Sequence, residues 1–122
     1  MQELIVDTSA IVFAAENSVD VFASILDQLP GYDILISKGV VNELERLSGS
    51  KTRKGRAAKL GLRILRAHTV TVLKDESYVD SWIGKESARR KCDVCTNDRA
   101  LKERLRRLKV RVVSVSPKGI LR

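Results

Sequence analysis

One histidine, His68, and two cysteines, Cys92 and Cys95, are all the nitrogen and sulfur metal ligands in this chain of 122 residues. A structural zinc site takes four such groups, and no second cysteine pair completes one here. On a strand, two residues three apart also point to opposite faces, so buried, reduced thiols are expected of both cysteines. Aromatic residues make up only 4% of the sequence, so the core must be aliphatic. No apolar run approaches the roughly 20 residues of a membrane span, and the N-terminus lacks a signal-peptide pattern. No membrane association is expected, and the cytoplasm is the expected location. There is no internal repeat, low-complexity segment or linker.

What the chain does have is 43% hydrophobic residues, enough for a globular fold, and a length that suits one domain spanning residues 1–122. Apolar runs of strand length alternate with stretches of helical period. Residues 3–6, 33–36, 70–73, 92–95 and 111–115 read as strands. Helices are expected over 9–15, over a stripe of Phe22, Ile25, Leu26 and Leu29, and over a stripe of Val40, Leu44 and Leu47. Further helices carry Ala58, Leu62 and Leu65, then residues 78–90, then Leu101, Leu105 and Leu108 facing inward. Asn17-Ser18 marks a break and a cap, Pro30-Gly31 a stop, and Ser37 a cap. Alternation of this kind builds an α/β fold, a three-layer α/β/α sandwich around a parallel sheet.

Four acids stand where these elements end or begin: Asp7, Glu43, Asp80 and Asp98. Asp7 follows the run Leu4-Ile5-Val6, and Asp98 follows Val94-Cys95-Thr96-Asn97. The ends of parallel strands converge on one edge of the sheet, where ligands bind. Glu43 falls beside the stripe of its helix and leans toward that edge, whereas Glu45 points to solvent. Each acid also has an ordinary role open to it. Asp7 and Asp98 suit helix N-caps, Asp80 suits a first helical turn, and Glu43 suits a solvated surface. Asp75, Glu76 and Glu86 rival Asp80. Taken as a set, they form an all-oxygen group of the kind that Mg²⁺ or Mn²⁺ prefers. Ser9, Thr96 and Asn97 add small polar groups that orient such ligands.

The surrounding charge points to a polyanion. Lys and Arg number 23 against 15 Asp and Glu, a net charge of +8. Lys51, Arg53, Lys54 and Arg56 lie between a Gly-Ser break and a helix, as a mobile arm beside Glu43. Arg106 and Arg107 belong to a second cluster, outward-facing on the helix after Asp98. A charge run is usually a solvated face. Flanking the acids on both sides favours phosphate contact instead. With so few aromatics, backbone and shape recognition are expected rather than a broad stacking platform.

Three segments resemble the PIN-domain ribonucleases: Leu4-Ile5-Val6-Asp7-Thr8-Ser9, the helix from Val40 through Glu43 to Leu47, and Cys95-Thr96-Asn97-Asp98-Arg99-Ala100-Leu101-Lys102. The last is similar to the family's strand-end "TND" followed by a basic helix. The resemblance implies a metal-dependent endoribonuclease whose acids are Asp7, Glu43, Asp98 and, in the helix before the last of these, Asp80. It leans toward the small archaeal and pre-rRNA-processing members, which makes rRNA or pre-rRNA the expected partner. Toxin-type members share the same acids, and for them an antitoxin partner is expected; a homodimer is open to either. Asp93 departs from the family, which has an apolar strand residue there. A non-catalytic RNA-binding or ribosome-assembly module is the competing reading, and a phospho-acceptor receiver domain ranks far behind.

Overall fold

Leu4, Ile5 and Val6 are wholly buried, as a strand with a neighbour on each side and helices on both faces requires. In the computed structural model, which describes residues 2–122, they belong to β1 (Gln2–Val6), the central strand of a five-stranded sheet. The chain runs on through α1 (Thr8–Glu16), α2 (Val21–Gln28), β2 (Tyr32–Ser37), α3 (Lys38–Ser48) and α4 (Arg53–Arg66). It continues through β3 (Thr71–Leu73), α5 (Val79–Arg90), β4 (Asp93–Cys95), α6 (Arg99–Arg107) and β5 (Val112–Val113).

The strand order is β3-β2-β1-β4-β5, with every pair parallel. Right-handed crossovers place α1 to α4 on one face and α5 and α6 on the other. The packing agrees, with α4 against both α1 and α3, and α5 against α6. The chain first moves outward from β1 to β3, then returns to lay β4 along the far side of β1. Strand order therefore reverses between β1 and β4, and a crevice opens at the C-terminal ends of those two strands. Val6 pairs with Cys95, so the residues that follow each strand, Asp7 and Thr96, emerge side by side. The α/β/α expectation holds, and among the described residues no single helix is long and apolar enough to cross a membrane.

Several local expectations are corrected. Leu26 and Leu108 fit buried stripes by their spacing but are 55% and 45% exposed. Leu26 lies at the margin of its stripe, and Leu108 follows the end of α6. The cap of α2 is Asp20, which accepts from the Ala23 N–H at 3.0 Å, rather than Asn17-Ser18. The last strand is only Val112–Val113, with Val115 in an isolated antiparallel bridge to Leu121. The basic arm is not a separate segment, because Arg53, Lys54 and Arg56 form the start of α4, capped by Thr52. The polar Asp93 is answered by its neighbours. It opens β4 at the end away from the crevice, accepts the Tyr32 hydroxyl at 2.8 Å and faces Arg111 at 3.9 Å.

Cys92 and Cys95 are free and buried, as expected. Burial foremost pushes the Cys95 thiol up to about 12, with the Asp7 charge adding to it. His68 sits against Phe22 and 2.8 Å from Asp20 Oδ2.

Candidate active site

Asp7 occupies the N-cap position of α1, yet its side chain makes no capping hydrogen bond. Its backbone N–H is tied to the Cys95 carbonyl at 2.9 Å, and its carboxylate turns to the crevice instead. There Oδ2 accepts the Ser9 hydroxyl at 2.6 Å and the Thr96 hydroxyl at 2.8 Å. Asp7 is only 4% exposed. Burial holds its carboxyl above the ordinary 3.8, against the lowering effect of Ser9 and Thr96, and nearby Asp98 raises it further. Beside it, the Thr8 hydroxyl is buried without a hydrogen-bond partner.

Asp98 does cap its helix, through Oδ1 and the Leu101 N–H at 2.9 Å, and its own N–H donates to Thr96 Oγ1 at 3.0 Å. Asn97 acts structurally. Its amide exchanges two hydrogen bonds with the Val115 backbone, each 2.9 Å, and so pins the C-terminal segment under the site.

Asp7, Glu43, Asp80 and Asp98 all line one cleft of about 360 Å³. Glu43 comes from α3, on one face of the sheet, and Asp80 from α5, on the other. Asp80 senses the other three. The Asp80 carboxyl is raised first by burial, then by the charges of Asp7, Asp98 and Glu43, with Arg104 opposing. The rivals of Asp80 are engaged elsewhere. Asp75 holds Ser77, Glu76 holds the Asn42 amide, and Glu86 holds Arg89 and Arg90.

Among the described residues no three His, Cys, Asp or Glu side chains form a finished metal-binding group, so ligation takes side-chain movement within the cleft. The donor set nevertheless fits a hard divalent cation: four carboxylates and the unpartnered Thr8 hydroxyl, all oxygen, at one crevice.

Val12, Phe13, Glu16 and Leu47 also line the cleft, outside the site residues expected from the sequence. Ser9, Val12, Phe13 and Glu16 recur at i, i+3, i+4 and i+7, so one face of α1 forms a wall of the cleft. That spacing is readable, but the segment resembles a plain core helix. Glu16 pairs with Arg53 at 3.3 Å. Of the basic residues, Lys54 lines the cleft itself, while Lys51 and Arg56 bond to each other through the Lys51 carbonyl. Arg106 and Arg107 are exposed in the last turn of α6 and do not line the cleft.

A family model described as "PIN like domain" matches residues 4–118. Among solved structures, the PIN domain endonuclease Utp24 is 29% identical with a TM-score of 0.76, over 93% of this chain and 85% of that one. A domain of a functionally unknown protein from Methanocaldococcus jannaschii is 16% identical with a TM-score of 0.66, over 95% of this chain and 92% of the other. VapBC2 from Rickettsia felis, solved with a DNA fragment from its promoter, is 15% identical with a TM-score of 0.64, over 93% and 98% of the respective chains. The latter two are likenesses of fold. No curated protein sequence gave a match.

Proposed function

This chain belongs to the PIN-like domain family, and from that premise we propose that it is a Mg²⁺- or Mn²⁺-dependent endoribonuclease, acting in the cytoplasm on rRNA or its precursors. One observation carries the reading. Asp7 forgoes the cap of its own helix, although Asp favours that position, and is held desolvated in a cleft shared with three more carboxylates. A fold has no need of four acids there, since their mutual repulsion costs stability. The likeness to an endonuclease supports phosphodiester hydrolysis. The leaning toward rRNA rests on the sequence segments alone.

A divalent ion in this cleft would acidify a water and offset charge on the scissile phosphate. Asp7, Glu43, Asp80 and Asp98 would hold it. Ser9 and Thr96 fix the orientation of Asp7. Lys54 draws the polyanion toward the acids. His68 is tied to Asp20 and does not line the cleft, so it is no candidate for the base.

The test is cleavage of labelled RNA in Mg²⁺, Mn²⁺ or EDTA by the unsubstituted chain and by Asp98→Asn, which keeps the cap of α6. Metal-dependent cleavage lost in the variant is the expected result. RNA binding with no cleavage under any metal would favour the non-catalytic RNA-binding module. A toxin role keeps the same chemistry and differs in requiring an antitoxin partner.

A further inference from the structure

Tyr78 is 71% exposed, the most exposed large apolar side chain among the described residues. It occupies the N-cap position of α5 and makes no capping hydrogen bond. Ser, Thr, Asp or Asn would serve that position better. Neither the core nor the helix end accounts for an aromatic ring at this point.

The segment that carries the ring is pinned. The Gly39 N–H donates to the Asp75 carbonyl at 3.0 Å, and the Asn42 amide donates to Glu76 at 2.8 Å. Ser77 donates its backbone N–H to the Asp75 carboxylate at 2.8 Å, and its hydroxyl donates to the same oxygen. A Cβ at Gly39 would stand 3.0 Å from the Ser77 carbonyl, so the loop rests directly on the start of α3. A ring presented from an ordered loop loses little entropy when a ligand covers it.

Tyr78 lines a groove of about 320 Å³ together with Arg46, Asn42, Glu76 and Glu43. Glu43 also lines the acidic cleft, so the two spaces adjoin. Arg46 lies exposed in the last turn of α3 and forms no ion pair among the described residues. A π face and an unpaired guanidinium in one groove match the two parts of a nucleotide that any sequence presents, base and phosphate.

We propose that Tyr78 and Arg46 form a nucleotide subsite adjoining the acidic cleft, in which an unstacked base lies on the Tyr78 ring and a flanking phosphate meets Arg46. This rests on the reading of the cleft as a ribonuclease site and adds to it where the strand goes beyond the acids. The subsite holds RNA and takes no part in bond cleavage.

Binding is measured in an Asp98→Asn background, so that no cleavage intervenes, with a short unstructured RNA carrying 2-aminopurine at successive positions. Tyr78→Ala should weaken binding about tenfold and abolish the fluorescence quenching at one position, whereas Tyr78→Phe should preserve both. An abasic nucleotide at that position should remove the difference between Tyr78 and Ala. Arg46→Ala should weaken binding and flatten its log–log salt slope by about 0.7. Equal affinity of Tyr78→Ala and its parent overturns the subsite while leaving metal-dependent cleavage by the unsubstituted chain as a separate result. Failure of cleavage with Tyr78-dependent binding intact overturns the nuclease reading and keeps the subsite. Absence of any RNA binding by the parent overturns the subsite as well.

Discussion

Ser9 and Thr96 are 87 residues apart in the chain, and their hydroxyl oxygens lie 3.0 Å from each other against the same oxygen of Asp7. Their acceptor sides are occupied from below: the Asn97 N–H donates to Ser9 Oγ and the Asp98 N–H to Thr96 Oγ1, each at 3.0 Å. Each hydroxyl has one proton, and both are thereby directed onto Asp7 Oδ2. The other oxygen, Oδ1, accepts no side-chain hydrogen bond. The backbone of the Thr96–Asp98 turn thus sets the orientation of the carboxylate on the neighbouring strand. This gives Thr96-Asn97-Asp98 a physical meaning that three polar residues at a strand end do not have on their own.

Thr96→Val keeps the shape of a fully buried side chain and removes its hydroxyl contacts with Asp7, the Asp98 N–H and Ser9. The variant should lose about 1–3 kcal/mol of stability, because the Asp98 N–H and one site on Asp7 are left unpaired. The Asp7 carboxyl should titrate higher still, since one of the bonds opposing the effect of burial is gone. Denaturant unfolding and a carboxyl-resolved NMR titration check the two parts. A variant as stable as its parent, with Asp7 unmoved, would show the hydroxyl to be incidental.

The basic residues should divide by position. Lys54 lines the cleft, whereas Arg106 and Arg107 stand at the far end of α6 from its Asp98 cap. Lys54→Ala should therefore reduce RNA cleavage severalfold at low salt and flatten the salt dependence of binding by about 0.7 in slope. The double variant Arg106→Ala/Arg107→Ala should weaken binding with little change in the rate for bound RNA. Arg53→Ala leaves Glu16 unpaired in the cleft and should act on binding while costing less than about 1 kcal/mol of stability, as exposed ion pairs do. Single-turnover rates across a salt series separate these effects, and equal responses from both ends would refute the division.

Much of the fold was legible because strand and helix periods differ and the central strands are apolar throughout. Leu4-Ile5-Val6 and Ile34-Leu35-Ile36 announce buried parallel strands without ambiguity. The four acids were legible as strand-end and helix-start residues, since element ends are marked locally. What the sequence concealed depends on contacts between distant elements. Whether Asp7 caps α1 or faces the cleft is decided by Thr96, and whether Arg53 is free is decided by Glu16. Asp93 is anomalous in the sequence because its partners, Tyr32 on β2 and Arg111 just before β5, are distant along the chain. Leu108 fits the helical stripe by number, but α6 ends at Arg107, and nothing lies above the residue that follows.

Gly55 provides a test of the turn that delivers Lys54. A Cβ there would lie 2.0 Å from the Ser50 carbonyl oxygen, a backbone atom with little room to yield. Gly55→Ala should cost about 1–3 kcal/mol by overpacking and displace the start of α4, with RNA cleavage falling alongside. Gly49→Ala, whose Cβ meets only the Arg46 carbonyl at 3.5 Å, is the matched control and should be neutral. Similar melting temperatures for the two variants would contradict the close approach at Gly55.

Neutralising Asp7 tests the cleft through stability rather than activity. Burial and the Asp98 charge raise the Asp7 carboxyl above 3.8, so the folded state favours the protonated form. The resulting penalty is absent below the unfolded value, grows between the unfolded and folded values, and is complete above the folded one. Asp7→Asn removes it, and also relieves Asp80, whose carboxyl is raised partly by the Asp7 charge. Without metal, the variant should therefore melt above its parent at neutral pH, and the gap should close as pH falls toward the ordinary carboxylate value of about 4. Divalent metal should reverse the order. At about a hundredfold excess of Mn²⁺ over its dissociation constant, the parent gains about 2.7 kcal/mol, while the variant, lacking a ligand, gains far less. Melting curves across pH, with and without Mn²⁺, read both effects. A variant that melts lower than its parent at neutral pH without metal, and responds to Mn²⁺ equally, would make Asp7 a structural residue whose burial serves no ion.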